Sequence, residues 1–350
     1  MSATDLWQRV GARVPVIQSP MAGAGGVALA AAVIAGGGVG SLPGAMVSAA
    51  RLVEQAAAVR ARAAGPLLLN FFCHRVAPDS DDCAWLALLQ PFFAAEGIDP
   101  ALSPAAGRRP FDADAAAAVE AVRPALVSFH FGMPAPALVE RVRGTGALVL
   151  ATATTVDEAE WLAARGCDAI VAQGFEAGGH AGWFLGDHRP VGTIALVPQV
   201  VDAVDLPVIA AGGIADARGV RAALALGAAG VQVGTAYLAT AESEASDAVR
   251  ARLGGAGARD TVFTNVLTGR NARGFRNRLI DALGPISTAA PPFPRAAAPL
   301  APLRTVAEAA GRPDYSPLWA GQAAPLAQPG GARALTEQLG AAALAVLETR

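Results

Sequence analysis

Lysine is absent from this 350-residue chain, and cysteine occurs only three times. All 27 side chains counted as Lys or Arg are therefore arginine. Without a lysine amine the protein cannot form a Schiff base with a carbonyl substrate, so that class of covalent catalysis is excluded. Cys73, Cys83 and Cys167 are too few and too scattered for a disulfide framework or a zinc site. HExxH, CxxC, P-loop and GxSxG motifs are also missing, and we expect no metal.

Charge is sparse as well: charged residues make up 16% of the chain and leave a formal net charge of -2. Because phosphate backbones attract a basic surplus, we expect no nucleic-acid partner. The mean hydropathy of +0.40 reflects abundant alanine. The longest apolar run, 26–40, is glycine-rich and shorter than the roughly 20 residues that a membrane span needs. The start, MSATDLWQRV, lacks a leader pattern. We expect a cytoplasmic monomer or homodimer that does not enter a membrane.

Short β-branched runs bounded by turn residues predict eight strands. Alanine-rich segments of helical spacing separate them, most clearly at 48–63, 156–165 and 216–226. Strands that are apolar on both faces and alternate with helices are typical of a parallel sheet covered by helices. Eight such units in about 240 residues predict an α/β fold, a TIM (β/α)8 barrel, with a doubly wound open sheet as the alternative. The predicted strands are Val14–Pro20, Val39–Pro43, Pro66–Cys73, Ala125–Gly132, Ala147–Thr154, Ala169–Phe175, Pro207–Gly213 and Gly230–Thr235.

Two stretches exceed the minimal βα unit. Residues 74–111 form an insertion after the third predicted strand. Residues 236–284 follow the eighth and contain a strand-like run and then an arginine-rich segment that we predict to be helical. We expect 236–284 to be a small inserted α/β subdomain, a lid over the C-terminal face of the barrel. Residues 1–235 and 285–350 would form the barrel with its C-terminal helices.

The active site of a TIM barrel lies at the carboxyl ends of its strands, so polar residues at those ends are candidates for a functional role. Asn70, His130 and Gln173 end the third, fourth and sixth predicted strands. Phe129 and Phe131 flank His130 and would alternate outward, so the imidazole is expected to face the interior. There its ordinary pKa suits proton transfer near neutrality. The alternative is a packed core histidine with one hydrogen bond.

Glycine-rich loops follow three of the predicted strands, at 178–179, 212–213 and 232–235. Barrels commonly hold a phosphate between the loops after strands seven and eight. Glycine lets backbone N–H groups approach the phosphate without an intervening Cβ. These loops predict a phosphate-bearing ligand, with tight βα turns as the alternative interpretation.

Several segments together resemble the nitronate monooxygenases, formerly called 2-nitropropane dioxygenases. They are NFFCH at Asn70, SFHFG at Ser128, the run from Thr152 to Gly182, AAGGIADARG at Ala210, GVQVGTAYL at Gly230, PISTAAPPFP at Pro285 and PDYSPLWAGQAA at Pro313. They occur in order over nearly the whole chain. The resemblance implies an FMN-dependent TIM barrel with a smaller second domain over the active site. It also implies oxidation of alkyl nitronates, such as propionate 3-nitronate, by O2 to a carbonyl compound and nitrite.

The resemblance also implies residue roles. Asn70 and Gln173 would hydrogen-bond the isoalloxazine or ribityl chain, Met21 would pack near the ring, and His130 would be the catalytic histidine. His180 could face phosphate, isoalloxazine or solvent. The phosphate-binding residues would be Gly178, Gly179, Gly212, Gly213, Gln232, Val233, Gly234 and Thr235. The C-terminal segment that returns to the flavin edge would contribute Trp319, Gly321 and Gln322.

Some features depart from the family and leave alternatives open. A lysine that some members carry in the C-terminal segment is missing, so a helix N-terminus or an arginine must stabilise the reduced flavin near N1. Other functions are an NAD(P)H-dependent FMN reductase of enoyl thioesters or quinones, a flavin-free sugar-phosphate isomerase or lyase, and a non-catalytic binding barrel. A dinucleotide could bind only at Arg270, Arg273, Arg276 and Arg278, whose helical spacing instead predicts a solvated face. We therefore expect NADH and NADPH to reduce the flavin negligibly.

Overall fold

A computed structural model describes residues 2–76, 82–99 and 108–349. Its strands are β1 Val16–Gln18, β2 Gly40–Pro43, β3 Leu67–Phe72, β4 Leu126–His130, β5 Leu148–Ala153, β6 Ala169–Gln173, β7 Gly179–His180, β8 Val208–Ala211, β9 Gly230–Val233, β10 Thr261–Thr264 and β11 Ala272–Phe275. Eight of them pair in parallel in the order β1-β9-β8-β6-β5-β4-β3-β2. A parallel bridge between Ile17 and Val39 joins the two outer strands and closes the sheet. The predicted TIM barrel is confirmed, and every barrel strand lies within its predicted range.

Helices cover the outside of this barrel, and others close its N-terminal end or support the second sheet described below. They are α1 Ala3–Val10, α2 Val27–Ala35, α3 Ala49–Arg62, α4 Cys83–Glu96, α5 Ala113–Val122, α6 Pro136–Gly144, α7 Val156–Ala163, α8 Thr193–Ala203, α9 Ala217–Ala225, α10 Thr235–Leu238, α11 Asp247–Arg250, α12 Arg278–Leu283, α13 Leu300–Ala309 and α14 Ala332–Leu347. Helix α7 begins where the Thr155 side chain accepts a hydrogen bond from Glu158, and α9 where Asp216 accepts from Arg218 and Gly219. The C-terminal α14 packs between α9 and α2 and completes the ring.

Alternation along the strands divides the core into two layers. The interior of the barrel holds residues such as Leu68, Leu126, Leu150 and Ile209. The other strand face packs against the helices. The N-terminal end is plugged by α1, whose Trp7 donates its indole N–H to the Ala229 carbonyl at 2.7 Å. This packing leaves the opposite, C-terminal end of the barrel interior open for a ligand. No helix in the described ranges combines the length and apolarity needed to cross a bilayer.

A second, smaller sheet stands over the C-terminal end. Strand β11 pairs in antiparallel fashion with β10 and with the two-residue β7, which belongs to the loop after β6. Its apolar support combines Trp85 and Phe93 of α4 with Leu279 of α12 and Leu303 of α13. This core therefore extends beyond 236–284, and the division of the chain at those residues stays a prediction. Residues 77–81 and 100–107 of the predicted insertion at 74–111 lie outside the described residues.

The arginine-rich segment differs from its prediction. Arg273 lies on strand β11, and only Arg278 lies on a helix. Arg273 is 2% exposed, with its guanidinium 4.4 Å from the ring centres of both Phe175 and Phe263. The expectation of a solvated helical face was wrong for Arg273, because the rings of Phe175 and Phe263 cover it, which helical spacing cannot reveal. Arg276 and Arg278 keep side chains that are 38% and 45% exposed.

Candidate active site

Three predicted site residues meet at one backbone atom in the barrel mouth. The carbonyl oxygen of His180 accepts hydrogen bonds from Nε2 of His130 at 3.2 Å and from Nε2 of Gln173 at 3.1 Å. The amide oxygen of Gln173 accepts from the N–H of Gly182 at 2.7 Å. The ends of β4 and β6 thus hold residues 180–182 across the mouth.

The hydrogen bonds of His130 define its tautomer. Because a carbonyl oxygen can only accept, Nε2 carries the proton and Nδ1 accepts from the Thr152 hydroxyl at 3.1 Å. Burial, and secondarily the charge of Arg270, lower the pKa of His130 to about 4. The ring is therefore neutral at physiological pH, with both nitrogens engaged.

His180 has a different pattern. The Thr268 hydroxyl donates to the Arg270 carbonyl at 3.2 Å, so Nε2 of His180 must donate to Thr268 at 3.0 Å. The lone pair of His180 then resides on Nδ1, which has no hydrogen-bond partner in the described part of the chain. Burial and the nearby cations Arg108 and Arg270 hold the pKa of His180 well below its usual range. This imidazole is a neutral ring with an unengaged acceptor atom.

Aromatic rings surround the two histidines. The His130 ring centre lies 4.4 Å from that of Phe131, and the His180 ring centre lies 5.2 Å from Phe293 and 5.4 Å from Trp319. The predicted return of the C-terminal segment places Trp319 against the mouth, where it bridges Gly274. Such apolar walls exclude water and strengthen the remaining polar interactions.

Asn70 lies on the same interior face as His130, at the end of β3. It is 7% exposed and donates to the Ser128 hydroxyl at 2.8 Å and to the Ser128 carbonyl at 3.2 Å. Both predicted amides, Asn70 and Gln173, therefore lie at the mouth, although on different strands.

The glycine loops form a cradle on the other side of the mouth. Gly212 and Gly213 have φ of +106° and +72°, a conformation that favours glycine, and the Gly213 N–H has no acceptor among the described residues. The N–H groups of Gly234 and Thr235 are likewise free of acceptors in the described ranges. These free donors follow the neighbouring strands β8 and β9, and such N–H groups suit a phosphate group.

The C-terminal segment closes this cradle. A Cβ on Gly178 would lie 2.5 Å from the Gly321 nitrogen, so glycine is required where the two chains touch. The Gly321 N–H donates to the Thr235 hydroxyl at 2.9 Å, and the Gln322 N–H donates to the Glu176 carbonyl at 2.9 Å.

The remaining predicted residues vary in position. Met21 borders the cradle, because a Cβ on Gly234 would lie 3.7 Å from its sulfur. Gly179 has open space around its Cβ position, and Gln232 is half-buried on β9. Val233 does not face the mouth: its side chain packs against the helices and its carbonyl accepts from Ser19.

Sequence reasoning missed Thr152 and Thr268, and it considered Arg270 only as part of a possible dinucleotide site. Thr152 lies at the end of β5, so the strand-end rule that selected Asn70 could have found it. Thr268 and Arg270 belong to the turn between β10 and β11, and no periodicity connects that turn to the mouth. Among the described residues, no group of three or more His, Cys, Asp or Glu is arranged to hold a metal ion.

A sequence profile described as nitronate monooxygenase matches residues 3–341. The chain belongs to the nitronate monooxygenase family. The family is a flavoenzyme family, and this protein is an oxidoreductase.

Curated family members cover nearly the same length. Nitronate monooxygenase of Pseudomonas aeruginosa is 42% identical over 334 residues, covering 93% of this chain and 95% of that protein. The Paraburkholderia phytofirmans nitronate monooxygenase is also 42% identical, covering 93% and 91%.

Solved structures agree with the fold. Nitroalkane oxidase from Streptomyces ansochromogenes superposes with a TM-score of 0.89 at 35% identity, covering 99% of both chains. FabK from Thermotoga maritima gives a TM-score of 0.71 at 26% identity, covering 99% of this chain and 97% of that one. These similarities support oxidation of nitronates as the general activity.

Proposed function

We propose that this protein binds FMN across the barrel mouth and oxidises alkyl nitronates with O2, yielding a carbonyl compound and nitrite. The observation that carries the proposal is the cradle of free N–H groups at Gly213, Gly234 and Thr235, opposite the histidine pair. A monophosphate matches one cradle, whereas FAD would need a further fold to hold its adenylate. The flavin, when bound, would supply electron acceptance from the nitronate and transfer to O2.

The chain's own residues would perform three tasks. The glycine cradle with Gly178 would hold the phosphate, and Asn70 and Gln173 would orient the ring system through their amides. The aromatic walls would keep water away from the reacting carbon. Because both imidazoles are neutral, the positive charge that attracts an anionic substrate would be that of Arg270.

A neutral nitroalkane must lose its α-proton before it can react as a nitronate. His130 stays the candidate predicted from the sequence, but both of its nitrogens are engaged. We propose that Nδ1 of His180 accepts the proton, because it carries the lone pair that no described residue uses. His130 would then position residue 180 by donating its Nε2–H to the His180 carbonyl.

The decisive experiment measures cofactor and turnover in the purified protein. Flavin released by heat should be FMN by mass spectrometry. Anaerobic ethyl nitronate or propionate 3-nitronate should bleach the bound flavin, and aerobic turnover should consume O2 and release nitrite without any pyridine nucleotide. NADH and NADPH should bleach it negligibly. Rapid bleaching by NADPH, with no nitrite from either nitronate, would instead assign the protein to the reductases.

A further inference from the structure

Arg270 is a cation in contact with two aromatic rings. Its guanidinium carbon lies 4.2 Å from the ring centre of Phe131 and 3.7 Å from that of Trp183. Nη2 donates to the Trp183 carbonyl, while Nε is buried and has no hydrogen-bond partner. Both rings thus lie within the range of cation–π attraction, and the guanidinium keeps N–H groups that no described residue uses.

No acidic side chain in the described ranges forms an ion pair with Arg270. The carboxylate that raises its pKa is Glu158, which is already occupied. Glu158 accepts from the N–H and hydroxyl of Thr154 and from the N–H groups of Phe184 and Leu185. Burial lowers the pKa of Arg270 to about 10, so the group remains charged at neutral pH.

Apart from Glu158, the ionisable groups that interact with Arg270 are histidines. The charge of Arg270 contributes to lowering the pKa of His74, His130, His180 and His188. Arg108 adds a second cation, 5.6 Å from the ring centre of Phe293. A buried charge that is not in direct contact with a counter-ion is costly, because its lost hydration is only partly replaced. The mouth is thus arranged to receive a negative charge.

We propose that Arg270 binds a planar, two-oxygen anionic group of the substrate through its unused guanidinium N–H groups. The arrangement favours such a group because a guanidinium matches two coplanar oxygens, and the contacts with Phe131 and Trp183 restrict its movement. Two groups share this chemistry, namely the nitronate oxygens and a carboxylate elsewhere on the same molecule. The inference rests on the proposed function and identifies the residue that selects its substrates by charge.

The test compares Arg270→Met and Arg270→Lys with the wild-type holoenzyme. Arg276→Met is the matched control, because Arg276 is partly exposed and pairs with Asp260 and Asp281 away from the mouth. Nitrate and propionate serve as non-reacting probes, and calorimetry measures their Kd. We expect Arg270→Met to weaken binding of the recognised probe roughly 10- to 100-fold. Arg270→Lys should weaken it several-fold, since charge remains but the planar fork is lost, and the control should be unchanged.

Turnover distinguishes the two anionic groups. If Arg270 binds the nitronate oxygens, Arg270→Met should lower kcat/KM similarly for ethyl nitronate and propionate 3-nitronate. If it binds a carboxylate, only propionate 3-nitronate should be affected, mainly through KM. Unchanged Kd and kcat/KM for both compounds would overturn the proposal, as would a variant whose sole defect is a shifted flavin potential.

Folding of the variants is checked by far-UV circular dichroism and thermal melting. Should Arg270→Met fail to fold, the comparison uses Arg270→Lys, and unchanged Kd and kcat/KM there would also overturn the inference. Absence of nitrite from the wild type with every nitronate would refute the proposed function itself. That result is distinct from an active wild type whose Arg270 variants behave identically.

Discussion

His130 donates its Nε2–H to the carbonyl oxygen of His180 at 3.2 Å, so one histidine holds the backbone of the other. This relationship assigns different duties to two residues of the same type. Replacing His130 should disturb the position of residue 180, whereas replacing His180 should remove an acceptor atom and leave His130 bonded. The two substitutions are therefore expected to differ in their effects.

The histidine pair gives the first prediction. His180→Asn should slow turnover of neutral nitroethane by roughly 10²- to 10⁴-fold, the range for loss of a general base, but spare preformed ethyl nitronate. His130→Gln keeps an N–H donor for the His180 carbonyl and should retain more activity than His130→Ala on both compounds. Nitrite release measures each rate. A selective loss with nitroethane in the His130 variants, and not in His180→Asn, would return the base to His130.

The second prediction concerns Gly182. A Cβ there would lie 2.7 Å from Cγ2 of Thr152 and 2.8 Å from Cε1 of His130. Gly182→Ala should therefore push the imidazole from its two hydrogen bonds and lower kcat roughly 10- to 100-fold. Flavin content should stay normal because the cradle is separate. Gly144→Ala, where a Cβ meets nothing within 4 Å, is the control. Equal kcat in the two variants would contradict this account of the ring position.

The third prediction addresses the phosphate cradle. Gly213→Asp puts a negative charge and a strained backbone beside the free N–H groups, so the purified protein should be colourless and regain little FMN on titration. Gly311→Asp is matched because Gly311 has a nearly equal φ of +71° and open surroundings. It should remain yellow. Full FMN occupancy in Gly213→Asp would exclude this loop from phosphate binding.

The fourth prediction is a pH effect on stability. His74 is 6% exposed, neither ring nitrogen has a hydrogen-bond partner, and burial with the Arg270 charge lowers its pKa to about 4. The backbone of nearby Arg108 acts in the opposite direction. Between pH 6.5 and 4 the unfolded chain thus binds more protons at this residue. Stability is complete above about pH 6.5 and falls on acidification, by at most about 1.4 kcal/mol per pH unit for one histidine.

His74→Phe keeps a ring against Phe293, whose centre lies 4.9 Å away, and removes the titration. The free energy of unfolding of the apoprotein, from urea titrations at pH 7.5, 6 and 5, should decline less steeply in the variant. Parallel declines in the two proteins would show that the His74 pKa is not depressed by folding.

Most of the barrel could be predicted from the sequence. Buried parallel strands are continuous apolar runs, and turn residues mark where each run begins and ends. Asn70 and Gln173 were predictable for the same reason, since they end such runs. The second sheet was not, because the pairing of Arg273 with β7 and β10 and its burial against Phe175 and Phe263 are tertiary contacts. Likewise, Thr268 bonds His180 across 88 positions, a tertiary contact that no local pattern encodes.

The short strand β7 joins the barrel loop to β11 of the second sheet. His180 pairs there with Ala272, so this histidine belongs to both units. Any movement that separates β11 from β7 would separate the imidazole from Thr268, while His130 and Gln173 keep the backbone of residue 180 on the barrel. Access for a substrate and proton transfer by His180 would consequently both depend on the pairing of β7 with β11. A substitution that accelerates product release should therefore also alter the chemical step.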